Sequence, residues 1–137
     1  MREILFRGKS LDFGDWLCGY IRQYENGKVT VCDFERKRLW FVNPSTVGQF
    51  TGLTDKNGKR IFEGDIVEGH CHSAWRHDIQ RCEVAYGRDG FEARHHVMCG
   101  GEQRYYTYKV LFSKDVVVIG NIHDNPELIG ERKDNEG

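Results

Sequence analysis

Residues able to do chemistry concentrate between Gly69 and Cys82. His70, His72, His77 and Cys82 fall in one short stretch, with Cys71 among them. Imidazole and thiolate are the ligands zinc prefers, so a metal-binding protein or metal-dependent enzyme is one reading of this region. The spacing argues against it. Successive side chains alternate in an extended chain, so Cys71 would point away from His70 and His72. The chain also has no Cys-x-x-Cys pair. A polar surface loop is therefore expected, with no metal and no cofactor. Cys99 with His95 or His96 would offer a thiol and a base. Such a pair needs an orienting group and an oxyanion hole, and the sequence signals neither. Glu63 and Asp65 are close carboxylates, but without a nucleophile beside them they read as turn residues. No catalytic residue is assigned, and the expectation is a non-enzymatic protein.

Binding chemistry is the stronger signal. Trp40 and Phe41 lie in a dense apolar run. Arg104, Tyr106 and Tyr108 fall in phase at a period of two, so a strand would set them on one face. That face could stack on bases or meet a protein. Core packing or self-association is the more common role of such a face. Arg36, Lys37 and Arg38 form a charged turn with acidic neighbours, which makes a weak field for phosphate.

Elements that must position these residues follow from alternation and turns. Trp16, Cys18 and Tyr20 alternate with Leu17, Gly19 and Ile21. Asn26-Gly27 then marks a tight turn into Lys28–Phe34, a β-hairpin signature. Cys82, Val84 and Tyr86 alternate before Gly87-Arg88-Asp89-Gly90, another hairpin signature. Val116–Ile122 reads as a buried strand. Asn125-Pro126 then favours a short helical turn. The pattern predicts an all-β chain with one short C-terminal helical turn.

The stretch Thr46–Glu68 organises the middle of the chain. Asn57-Gly58 suits a tight turn. Gly64-Asp65 suits a sharp corner, with Gly64 at positive φ and Asp65 accepting backbone N–H groups. The run TVGQFTGLTDKNGKRIFEGDIV resembles the signature of the YopX family of bacteriophage and prophage proteins. REILFRGKSLDFGDWLCGYI is similar to that family's opening, NPSTVGQFTG to its middle and VIGNIHDNPELI to its close. The resemblance runs in order over roughly residues 2 to 129 and is specific as a set. Gly69–Asp78 and Arg94–Gln103 match no part of the pattern. The resemblance implies an SH3-like barrel in the C-terminal part and a phage or prophage origin. It implies no activity and carries over no catalytic residues.

Three parts are expected: an N-terminal β part over residues 1–50, an SH3-like barrel over 51–129 and a disordered charged tail over 130–137. The 137 residues carry 20 Lys+Arg against 21 Asp+Glu, a net charge of −1. The halves are nearly balanced, which argues against a protein that holds nucleic acid by charge alone. A nucleic-acid-binding accessory role, through Arg36, Lys37, Arg38, Arg104 and Tyr106, is the second expectation. No apolar run is long enough to span a bilayer, and no signal peptide is read, so a cytoplasmic location in a bacterial host is expected. The expected partner is a second copy or a host or phage protein, through Trp40, Phe41, Tyr106 and Tyr108.

Overall fold

A computed structural model describes residues 4–70, 79–108, 111 and 114–129. The candidate ligands His72 and His77 and the tail 130–137 lie outside the described residues. The all-β expectation holds. In order, the strands are β1 (Phe6–Lys9), β2 (Trp16–Gln23), β3 (Val29–Asp33), β4 (Arg38–Val42), β5 (Gly48–Thr54) and β6 (Arg60–Phe62). They continue as β7 (Asp65–His70), β8 (Ile79–Gly87), β9 (Gly90–Cys99), β10 (Glu102–Tyr108) and β11 (Val117–Asn121). A helical turn closes the described chain at residues 127–129, after Pro126.

The chain divides into two compact units, residues 1–52 and 53–137. In the first, the strand order is β4-β3-β2-β1-β5. The predicted hairpin is β2–β3, with Tyr20 opposite Cys32 and Gln23 opposite Val29. Its turn residue Gly27 has φ +87°. The sheet curls strongly: a bridge joins Ser10 to Val42, and Leu11 N–H donates to the Phe41 carbonyl at 3.0 Å. Inside the curl, Leu17, Val29, Val31 and Val42 form the core, with Ile21, Trp40 and Val47 packed against it. The period of two thus sends one side of β2 and β4 into this core and the other outward, whereas on β3 Thr30 is buried although it faces away from Val29 and Val31. Pro44 ends the β4 segment, and a 3-10 turn runs Pro44–Thr46, with the Asn43 side chain accepting from Ser45 N–H.

In the second unit the strand order is β10-β9-β8-β7-β11. Its core holds Ile61, Val67, Cys82, Val84, Ala93, Leu111 and Val116. The expected barrel is not closed among the described residues. β10 and β11 are the two edges of an open antiparallel sheet. The physical reason lies in β10, where every residue from Glu102 to Thr107 is exposed. That strand has too little apolar side to roll onto the core.

Both turns of the central stretch have the expected chemistry. Gly58 has φ +83°, and Gly64 has φ +93°. Asp65 is buried, and its Oδ2 accepts from Phe62 N–H at 2.8 Å, a donor three residues earlier in the chain. The corner is locked by Gly64 N–H donating to the Val84 carbonyl and Ile122 N–H donating to the Gly64 carbonyl, both at 2.8 Å. An L side chain at that φ is strained. Gly64→Ala is therefore expected to lower stability by about 1–2 kcal/mol. A urea titration checks it, and an unchanged midpoint would show that the corner tolerates a side chain.

Candidate binding surfaces

Alternation in the first unit sorts the aromatic residues onto two sides. Trp40 sits opposite Val31, whereas Phe41 sits opposite Thr30. Trp40 accordingly packs on the core, where Phe13 meets it edge-on at 5.4 Å and the Arg38 guanidinium stacks at 4.8 Å. Phe41 is on the outer side and 46 % exposed. The two residues expected to form one sticky patch therefore point apart. Arg36 holds Asp33 at 3.0 Å and Lys37 takes a positive φ of 52°, so the charged turn is built into the fold.

The outer side of the first sheet is the first candidate surface. Tyr20 and Phe34 meet edge-to-face at 5.0 Å. Tyr24 and Phe41 lie 6.2 Å apart. Cations cover rings here: Arg22 stands over Tyr24 at 5.1 Å, Lys28 over Phe41 at 5.6 Å and Arg7 over Trp16 at 4.6 Å. Each such contact favours a cation held beside an apolar surface.

The β9–β10 hairpin is the second. Its register pairs Arg104 with Val97, Tyr105 with His96 and Tyr106 with His95. Tyr108, at the inner end, packs on the core and meets the buried His95 ring at 5.5 Å. Tyr106 shares that side farther out and is 52 % exposed. On the other side Arg94 stands over Tyr105 at 4.6 Å and bonds Glu92 at 2.6 Å, and the Glu92 carboxylate raises the guanidinium pKa further. The His96 Nε2 lies 2.8 Å from Glu83 Oε1, and the Arg81–Glu68 pair at 3.0 Å extends this polar ladder.

The two metal candidates among the described residues, His70 and Cys82, separate. Cys82 is fully buried in the core between Val67 and Val84. His70, at the end of β7, contacts the Asp115 carboxylate through Nδ1 and stands opposite Ile79, whereas Cys82 stands opposite Val67. Cys99 is exposed at the hairpin end, whereas His95 is buried and bonds the Arg81 carbonyl at 3.0 Å through Nδ1.

The match to the YopX protein family covers residues 14–130. The chain belongs to the YopX family. No match is found among curated proteins. Among solved structures, the crystal structure of protein EF1440 from Enterococcus faecalis is similar, with 25% identity over 94% of this chain and 99% of that one and a TM-score of 0.51. The likeness thus runs through both units of this YopX chain. Both candidate surfaces lie almost wholly within the family's span. Sequence reasoning named Phe41, Arg104 and Tyr106 but missed Tyr20, Arg22, Lys28 and Phe34. The signal was present in the alternation of β2, which sets Tyr20 and Arg22 on one side. No helix among the described residues is long and apolar enough to cross a membrane.

Proposed function

We propose that this YopX chain is a non-enzymatic phage- or prophage-type module that acts by self-association in the cytoplasm of a bacterial host. One observation carries the reading: β10 is a seven-residue edge strand, exposed over six of its residues and bearing two half-exposed tyrosines. Among the described residues β10 is a sheet edge, and an exposed edge strand that carries aromatic rings invites a further strand. A two-fold antiparallel pairing centred on Tyr105 would set Arg104 of one copy against Tyr106 of the other. Glu102 and Arg104 pair at 3.4 Å within each copy, so no like-charge repulsion opposes the approach. The non-enzymatic part is supported by how the carboxylates are used. Asp33, Asp55 and Asp65 each accept backbone N–H groups and hold turns.

Light scattering at about 50 μM should give the mass of a dimer. Tyr105→Lys with Tyr106→Lys places like charges along the edge and should weaken dimerisation by about tenfold or more. A wild-type monomer at that concentration would sink the reading, as would a dimer indifferent to both substitutions.

A further inference from the structure

The outer side of the first sheet is also a charge-segregated surface. Its strand positions carry no carboxylate: Asp33 of β3 is on the core side and buried, and Asp15, Glu25 and Glu35 lie in connecting turns. Arg22 and Lys28 stand on this side, both exposed. The exposed rings beside them are Tyr20 at 60 %, Phe34 at 40 % and Phe41 at 46 %. Charge counted along the chain averages this away, because neighbours in a strand face opposite sides.

We propose that this sheet side binds single-stranded nucleic acid, with a base on the Tyr20–Phe34 ring pair and phosphate on Arg22 and Lys28, which stand over the Tyr24 and Phe41 rings. Tyr20 and Tyr24 are four positions apart, about 13 Å along an extended chain. Arg22 lies between them in the strand with its guanidinium over Tyr24, so a cation stands beside the Tyr20–Phe34 platform, where the backbone of a stacked base would pass. A single strand offers a negative charge and a π-face in every repeat, which matches alternating rings and cations. The proposal is independent of self-association through β10.

Other occupants fit less well. A second copy docked through this side would set Arg22 and Lys28 against their own counterparts. An acidic peptide satisfies the cations and leaves the Tyr20 and Phe34 rings wet. A duplex hides its base faces, so only the charges would act, and two cations release few counterions.

The test uses the full chain and a labelled oligothymidylate of about 20 nucleotides, followed by polarisation at rising salt. The expected result is binding at low salt that tightens on the single strand by about tenfold or more over a duplex of equal length. Random duplex should bind no tighter than about 10 μM at physiological salt. Arg22→Glu with Lys28→Glu should weaken oligothymidylate binding by about tenfold or more and flatten the salt dependence, the slope falling by about 1.4 for the two phosphate contacts. Tyr20→Ala should weaken it by about fivefold or more and leave the slope unchanged. Arg88→Glu with Lys114→Glu makes the same charge change on exposed positions of the second unit and should have little effect. Melting curves matching the wild type certify that each variant is folded. The proposal is overturned by no binding at low salt, by equal binding of duplex and single strand, or by equal losses in the two charge-reversed pairs. Polyglutamate displacing the oligonucleotide as well as unlabelled oligothymidylate does would also overturn it, in favour of an acidic peptide.

Discussion

Gly19→Ala should be among the most damaging single substitutions in this chain, lowering stability by about 3 kcal/mol or more. Gly19 lies in β2 at the middle of the first sheet, opposite Phe6 of β1 and Asp33 of β3. A Cβ built there would stand 1.7 Å from the Cys32 carbonyl oxygen and 2.8 Å from its carbon. Both are backbone atoms of the neighbouring strand, so no side chain can swing away to relieve the overlap. β2 and β3 would have to part, and the sheet that covers Val29 and Val31 would open with them. A loss of that size corresponds to a fall in melting temperature of about 10 °C. Gly27→Ala is the internal comparison. Gly27 has φ +87° but nothing within 4 Å of its added Cβ, so only backbone strain of about 1 kcal/mol is expected. Thermal melts of the two variants, followed by circular dichroism, give the ordering. Equal and small shifts would mean that β2 and β3 are not packed as closely as the Gly19 contact requires.

Gly19 also shows where the sequence stops being legible. In the chain it is one small residue in an alternating run, and nothing marks it as a close approach of two backbones. Local signals did better. Asn26-Gly27, Asn57-Gly58 and Gly64-Asp65 all announced turns, because the φ they need is a property of those residues alone. Hairpin pairing followed, since short turns leave neighbouring strands little choice. Which side of a hairpin is buried is a different matter. Trp16 and Tyr20 form the more aromatic side of β2, yet the core takes Leu17 and Ile21. The outcome was decided by β3 and β4, whose Val29, Val31 and Val42 pack together on that side. In the same way Trp40 and Phe41 read as one patch until β3 fixed which of them faces inward. The place of Cys82 was hidden for a related reason: the sequence showed a thiol near histidines, and only the register put it opposite Val67. Barrel closure was least legible of all. It depends on whether the edge strands meet, and β10 carries too many exposed polar residues to be drawn in.

Asp55→Ala should cost as much as the loss at Gly19, about 3–5 kcal/mol. The Asp55 side chain is 6 % exposed and serves three backbone donors. Oδ1 accepts from Asn57 N–H and Lys59 N–H, both at 2.9 Å, and Oδ2 accepts from Val118 N–H at 3.0 Å. One carboxylate therefore closes the β5–β6 turn and ties it to β11, 63 residues later in the chain. Alanine would leave all three donors without this acceptor. Burial pushes the carboxyl pKa up, but the three N–H groups and the Lys59 charge outweigh it and hold the group below its ordinary value of 3.8. The sign of the pH dependence follows. The folded pKa lies below the unfolded one, so as pH falls the unfolded chain takes up the proton first. The stabilisation is complete above the ordinary carboxylate range and is lost as pH falls through the folded value. Asp55→Asn should show intermediate stability at pH 7, because an amide oxygen can still accept while its NH2 meets a donor. Below about pH 4 the gap between wild type and Asp55→Asn should narrow, as the wild-type carboxyl is neutralised. Denaturant titrations at neutral and acid pH measure both gaps. A wild-type advantage that widens in acid would place the proton on the folded carboxyl first and overturn this account of the turn.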